Sequence, residues 1–440
     1  MLRSLLLPTA ALGATSLFVL STPAPVTAAP AAAAASGFEG AVYAMTNDFV
    51  SNRIVAYGRR SDGTLELLGD FPTGGQGAAF DGGEGLDPLI SAYAVLLTDD
   101  QDFLLAVNAG NNSITAFRVT EDFRLRRTDI VRSGGFGPNS IAYRDGFVTV
   151  SNIDADGAFA GEPDQEGSLL SFRLTPEGKL RAIPGSRRIL GNRPSAVQYT
   201  PDGQHLVVAS INAGSAALAS GSNDEIVSYG VDDFGRLTEA PLGAGASTLP
   251  FNTANRNLAS AIGFEIVESG DRNFVVVTEA REFTSEGLPP TLPNLQTGSV
   301  STWELLPDGS LDPLQLDVLA GTDMLDGQRT ACWIEFSADE KTFWVSNALE
   351  STISAYSFNQ GQIALISEVA AAGTAPDPND PFGTSDGWID MWASEDGRYL
   401  YQLFGLAGTI GVYETVGSSL QLVQTVSDLP VVNTQGIVAF

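Results

Sequence analysis

Residues 331–369 read ACWIEFSADEKTFWVSNALESTISAYSFNQGQIALISEV, and they lay out the unit from which the chain is built. Residues 331–336 form a short apolar strand. Ala338-Asp339-Glu340-Lys341 is a turn of the Asp-Gly type. Residues 342–345 form a second apolar strand that ends on the small polar pair Ser346-Asn347. Residues 352–358 alternate small polar with apolar or aromatic side chains, the pattern of a half-buried strand, and residues 363–369 supply a fourth strand. The same order returns at residues 92–97, Asp99-Asp100, 103–107, Asn108, 113–119 and 124–131.

The spacing inside the unit is nearly constant. Eight steps separate the turn aspartate from the residue that ends strand two in Asp100 to Asn108, Asp202 to Ser210, Asp271 to Glu279, Asp339 to Asn347 and Asp396 to Phe404. Blade three is one step shorter, Asp145 to Asn152. A constant spacing in units of differing length marks one structural repeat rather than chance turns. Four antiparallel strands make a blade, and stacked blades bury each other's faces.

The ends of the chain set the blade number. The first unit begins at its second strand, residues 41–45, which ends at Thr46-Asn47; residues 53–57 and the Ser61-Asp62-Gly63 turn follow. Residues 435–440 read as a first strand with nothing after it. Pairing that strand with the N-terminal blade closes a ring and removes its open edge. The expectation is therefore an all-β, seven-bladed β-propeller over residues 40–440, with six complete blades and one shared between the ends. Long insertions fall between strands two and three of blades three (153–167), four (211–224) and five (280–298).

Composition agrees with a turn-rich all-β chain of one repeat architecture: 47 glycines, 23 prolines and 43% hydrophobic residues in 440. The net charge is −29, because 52 acidic residues face only 23 basic ones, of which Lys179 and Lys341 are the lysines. Such a surface repels phosphate backbones and anionic lipid, so neither nucleic acid nor a membrane surface is expected as a partner; a monomer is expected. The single cysteine, Cys332, forms no intramolecular disulfide, and a buried free cysteine packs as a small hydrophobe. With His205 the single histidine, a histidine metal cluster or a Ser-His-Asp triad is very hard to build. Covalent serine or cysteine catalysis lacks a base partner. Arg3, the apolar run of residues 5–20 and Val26-Thr27-Ala28 read as a secretory signal over residues 1–28, with a disordered Ala/Pro-rich stretch at 29–39, so a secreted, extracellular protein is expected. Asn111-Asn112-Ser113 is a glycosylation sequon.

Four stretches carry a family resemblance. Residues 40–47 (GAVYAMTN), 106–110 (AVNAG), the Thr330-Ala331-Cys332-Trp333 run and the closing strand resemble the seven-bladed lactonase-like propellers, which include 6-phosphogluconolactonases and 3-carboxymuconate cyclase-like proteins. The likeness spans residues 40–440. It implies a hydrolase of sugar lactones with His, Arg and Glu around the top of the central channel. This chain departs from that pattern: blade three starts Gly137-Pro138-Asn139-Ser140, without histidine, and His205 lies inside strand two of blade four. The surviving match is Glu279, with Arg281 beside it; Arg193 and Arg256 precede the first strands of blades four and five.

Both Asp-Gly-type turns of a blade fall on one face of the ring, and the loops after strand two fall on the other. The residues ending strand two thus define a candidate ring at that second mouth: Asn47, Asn108, Asn152, Ser210, Glu279, Asn347 and Phe404. Glu279 is its one ionisable member and the candidate general base, with Arg256 or Arg281 steadying developing charge. Asn47, Asn108, Asn139, Asn152, Arg193, Arg329, Asn347 and Trp388 are candidate ligand-binding residues, and Trp333 and Asp386 flank them. The bland alternative is that the asparagines satisfy loop backbone and the tryptophans pack between blades. No cofactor is implied. Asp154-Ala155-Asp156-Gly157 with Asp164 and Glu166 has calcium-type oxygen ligands without full EF-hand spacing, and no metal site is assigned. Residues 74–85 are glycine-rich but lack the lysine of a phosphate loop. Two further readings stand beside a carbohydrate-lactone hydrolase: a non-catalytic propeller binding a sugar, peptide or protein through its insertion-bearing face, and a structural extracellular protein with a relic channel.

Overall fold

Alternation of apolar and polar residues along short strands, punctuated by aspartate turns, builds one sheet after another in the computed structural model. It describes residues 37–80, 87–154, 166–211, 225–246, 258–283, 296–325, 327–373, 386–431 and 433–440. The expected leader, the Ala/Pro stretch up to residue 36, Arg256 and most of the three long insertions lie outside the described residues.

Among the described residues the strands form seven antiparallel sheets, each in the order one-two-three-four. Blade three adds a short fifth strand, Arg188–Ile189, against its third. Blade one draws its first strand from the C-terminus: Ile437, Val438 and Ala439 pair with Ala44, Tyr43 and Val42. The Phe440 amide donates to the Ala41 carbonyl and the Met45 amide to the Gly436 carbonyl, which extends the seam at both ends. The chain is therefore a seven-bladed propeller closed by its own two ends.

Burial falls off from the axis outward. Second strands such as Phe103–Asn108 and His205–Ile211 are buried along their whole length. Fourth strands such as Leu125–Arg132 bury their first residue and expose much of the rest. Aromatic rings interlock between and within blades: Phe274 of blade five meets Phe358 of blade six edge-on at 5.7 Å, and within blade six Phe343 stacks on Tyr356 at 4.9 Å. Each such fully buried side chain contributes about 1.5–3 kcal/mol.

The turn aspartates have a common task. In blades two, four, six and seven, a Ser or Thr two residues earlier donates its hydroxyl to the aspartate Oδ1: Thr98 to Asp100, Thr200 to Asp202, Ser337 to Asp339 and Ser394 to Asp396. The same oxygen accepts the backbone amide two residues on, at Asp102, Gln204, Lys341 and Arg398. That local ring of bonds supplies partners the tight turn would otherwise lack. It explains why aspartate recurs at fixed spacing.

One expected strand is shortened. Residues 92–97 read as the inner strand of blade two, but that strand spans Val95–Leu97. The residues before it leave the blade and cross the central channel. Ile90 and Tyr93 take left-handed backbone conformations, φ 52° and 62°, which β-branched and bulky residues adopt only under outside constraint. That constraint comes from five other blades. The Ala92 amide donates to Ser195 O of blade four and Trp333 Nε1 of blade six to Ser91 O. Ser91 Oγ donates to Asn139 O of blade three, Gln435 Nε2 before the closing strand donates to Ser91 O, and Tyr93 Oη donates to Phe264 O of blade five.

Candidate functional site

The ring of strand-two termini is built into the blades. Asn47, Asn108, Asn152, Glu279 and Asn347 are each at most 1% exposed. Asn108 Nδ2 donates to Ser113 Oγ and Thr115 Oγ1 at 3.2 and 2.9 Å; Asn347 Nδ2 donates to Thr352 Oγ1 and Ser354 Oγ at 3.2 and 2.8 Å. Asn47 Nδ2 donates to Ala78 O, and Asn152 Nδ2 lies 3.5 Å from Ser133 O. These amides tie strand two to strand three and to the following loop. Asn139, also buried, donates to Pro194 O of the next blade and accepts from Ser151 Oγ. Trp388 packs on Phe404 and Tyr413 within blade seven, ring centroids 4.8 and 6.2 Å apart. Arg329 pairs with Glu350. Arg193 is half-buried at the start of strand one of blade four, and burial pushes its pKa down.

Glu279 and Arg281 sit together, enclosed. Arg281 Nη2 lies 2.5 Å from Glu279 Oε2 and 3.2 Å from Asp317 Oδ1, and Ser299 Oγ donates to the same Glu279 oxygen. Burial acts to lower the Arg281 pKa, but Glu279, Asp317 and Glu225 more than offset it, so the guanidinium stays charged. The register expectation put Glu279 at an accessible rim. In the fold it is 0% exposed, because strand three and the ion pair close over it. His205 opens strand two of blade four, buried, with its pKa lowered by that burial.

A cavity lies elsewhere, in the channel itself, toward the face of the strand one–two turns. Its volume is about 320 Å³, and Asp99, Arg144, Gln198, Tyr199, Pro201 and Trp392 are among its walls. Its layout follows from the repeat. Leu96, Ala142, Gln198, Glu265, Glu335 and Trp392 occupy one equivalent position in blades two to seven, each paired with the residue three before the end of strand two. All six line the cavity. The aliphatic members fall in blades two and three, the polar ones in blades four to six and the tryptophan in blade seven.

Glu265 is held from two sides. Tyr93 Oη lies 2.9 Å from its Oε1 and Gln198 Nε2 3.2 Å from its Oε2, while the Ile266 amide fixes Gln198 Oε1 at 3.3 Å. Tyr93 in turn meets Trp392 edge-on at 6.4 Å. Glu335 comes from the next blade. Burial pushes both carboxyls well above the ordinary carboxylate range, and repulsion from Glu265 raises Glu335 further. Two acids that repel in a desolvated site give up their protons one after the other, as a pair. Deeper in the same channel, Asp390 accepts the Gly436 amide at 2.7 Å, and burial lifts its pKa to about 7. At the rim Arg144 is held by Asp99 at 3.4 Å and Asp145 at 3.8 Å.

The ring of strand-two termini did not point to this pair. A sequence signal does exist for it: Phe264-Glu265-Ile266 and Ile334-Glu335-Phe336 each place a carboxyl between two apolar residues of an inner strand. A charge there must be compensated or functional.

No protein-family model matches the sequence, and comparison with curated proteins finds no match. Solved structures do match. A proposed 6-phosphogluconolactonase from Bacteroides fragilis superposes over 91% of this chain and 97% of its own, with TM-score 0.58 and 14% identity. A second from Bacteroides uniformis covers 91% and 99%, with TM-score 0.58 and 15% identity. A hypothetical selenium-binding protein from Sulfolobus tokodaii covers 91% and 93%, with TM-score 0.59 and 10% identity. Likeness at these identities speaks for architecture, since propellers of one shape host different functions. By fold, this chain is a seven-bladed propeller, the architecture it shares with these solved structures.

Proposed function

We propose that the chain hydrolyses a lactone in its channel cavity, with Glu265 and Glu335 dividing the acid and base roles. One observation carries the reading: two carboxyls from adjacent blades, at the same position of the repeat, line one cavity, where burial favours the protonated form of each. While the pair holds a single proton, both catalytic forms are present at once. The ionised carboxylate takes a proton from water as the water oxygen adds to the ring carbonyl. The protonated partner gives its proton to the ring oxygen as the acyl C–O bond breaks. The product is the open hydroxy acid, and the pair still carries one proton. Tyr93 and Gln198 fix the Glu265 carboxylate in place, and Trp392 and Tyr143 offer aromatic faces for a sugar-like ring. Glu279 and Arg281, sealed inside blade five, take no part in this scheme.

The test is hydrolysis of a panel of aldonolactones by the wild type and by Glu265→Gln and Glu335→Gln. Each variant is expected to lose about 100-fold or more in kcat, the usual worth of a positioned acid or base. The wild-type rate is expected to be bell-shaped in pH. Both limbs should lie above the ordinary carboxylate range, because full protonation removes the base and full ionisation removes the acid. Wild-type turnover no faster than the spontaneous reaction, or variants as fast as wild type, would overturn the reading.

A further inference from the structure

We infer that the cavity selects uncharged lactone rings and turns away phosphorylated ones, with Asp99 holding Arg144 out of service as an anion receptor. The inference rests on the hydrolase reading for its reaction but on the charge of the walls for its specificity.

The ionisable groups lining the cavity are Asp99, Arg144, Glu265 and Glu335, with Tyr93, Tyr143 and Tyr199 as phenols. Among the described residues Arg144 is thus the one cationic side chain in the lining, and no lysine is there. Its guanidinium already faces two carboxylates, Asp99 Oδ2 at 3.4 Å from Nη1 and Asp145 Oδ2 at 3.8 Å from Nε. A phosphate receptor is built the other way, with arginine forks or lysines left open toward the ligand. Here a phosphate dianion would meet Glu265 or Glu335 on one side and Asp99 on the other. Like charges brought together in a partly desolvated site are a strong discriminator.

The remaining walls suit a neutral polyol. Trp392, Tyr143 and Tyr199 give flat apolar faces, while Gln198 and the carboxyls provide hydrogen-bonding groups for hydroxyls. A volume of about 320 Å³ is at the small end of ligand-binding cavities, which fits one monosaccharide-sized ring. The overall charge of −29 acts in the same sense at long range, since it slows the approach of anions from solution.

Calorimetry separates the two ideas. The probes are gluconolactam, an uncharged and unreactive lactone analogue, and the same lactam carrying a 6-phosphate, titrated into the full chain. The lactam is expected to bind and its phosphate to bind about 100-fold more weakly or not at all, with the gap narrowing as salt screens the walls. Asp99→Asn removes the nearer of the two carboxylates on Arg144 and is expected to close the gap by about 10-fold, a shift of one decade in Kd. Equal or tighter binding of the phosphorylated lactam, or a gap unmoved by salt and by Asp99→Asn, would overturn the inference. Hydrolysis assays distinguish the other failure. Turnover of a phosphorylated lactone that depends on Glu265 would leave the hydrolase reading standing and sink the specificity. No turnover of any lactone, with the lactam still preferred over its phosphate, would sink the hydrolase reading and leave the specificity. Binding of neither probe removes both.

Discussion

Glu279 stands where blades one, two, three and six carry asparagine, and its neighbours explain what the change of residue type requires. Asn347 donates its amide protons to Thr352 and Ser354. An ionised carboxylate can only accept, so in blade five the bond reverses and Ser299 Oγ donates to Glu279. The buried charge then needs a cation, and Arg281, two residues on, supplies it. Spacing from Asp271 was enough to show that Glu279 ends strand two. Access was not legible, because it depends on what strand three and Arg281 place against the carboxylate. Glu279→Gln is accordingly expected to lower the unfolding free energy by about 1–3 kcal/mol, the range for leaving a buried charged group short of a partner. Lactone turnover per folded molecule should stay at the wild-type level. Urea denaturation beside single-substrate kinetics reads both quantities; a collapse in kcat at unchanged stability would return the catalytic role to Glu279.

At the scale of the element, the inner strands explain why the strands were legible and the site was not. Ser113–Val119 spans the residues expected from its alternation, and Ala331–Phe336 likewise. Which face each inner residue presents is another matter. The pairing of strands one and two slips between Pro138 and Ser140, Pro194 and Ala196, Ala331 and Trp333, and Ile389 and Met391. A bulge adds one residue and reverses the alternation beyond it, so counting inward from the start of the strand assigns the far half to the wrong face. The inserted residues are put to use: Asn139 donates to Pro194 O of the next blade and Asp390 accepts from Gly436. Asp390 also carries a cost. Its folded pKa is about 7 against 3.8 for the free group, so the native state binds more protons than the unfolded chain between those values. Stability conferred at low pH is therefore lost as pH rises toward and through about 7. Asp390→Asn keeps an oxygen to accept the Gly436 amide and removes the charge. It is expected to melt above wild type at about pH 8, beyond the upper value, and close to it at about pH 4, near the lower one. Equal melting shifts at both pH values would show that Asp390 does not titrate as its burial requires.

For the whole molecule, blade number and closure could be read from the two chain ends, because a ring with one strand missing at its start and one spare at its finish has a single economical pairing. The blocked mouth of the channel was hidden. Residues 92–97 read as an inner strand, and nothing local announces that Ser91 and Tyr93 will be caught by blades three, five and six. The same C-terminal segment controls both features. Residues 437–439 pair with the first blade, while Gln435 holds the crossing segment through Asp87 Oδ1 at 2.6 Å, Ser91 O at 2.8 Å and the Leu89 amide at 2.7 Å. Two variants pull these roles apart. Truncation after Gly436 strips the closing strand and leaves blades one and seven joined by the remaining contacts, such as Arg59 with Asp396 and Gln424 with the Leu65 backbone. Those bonds are half-exposed and cannot replace a buried strand whose loss also bares the Gly40–Met45 edge. The melting temperature is expected to fall by several degrees and the transition to broaden. Gln435→Ala keeps the seam and loosens only the crossing segment. Its melt should stay near wild type, while the amides of residues 87–93 exchange hydrogen faster than in the parent. If the truncated chain melts like the parent, the ring is not held by its C-terminal strand. If Gln435→Ala leaves exchange at residues 87–93 untouched, the contacts from blades three to six hold that segment without help from the closing one.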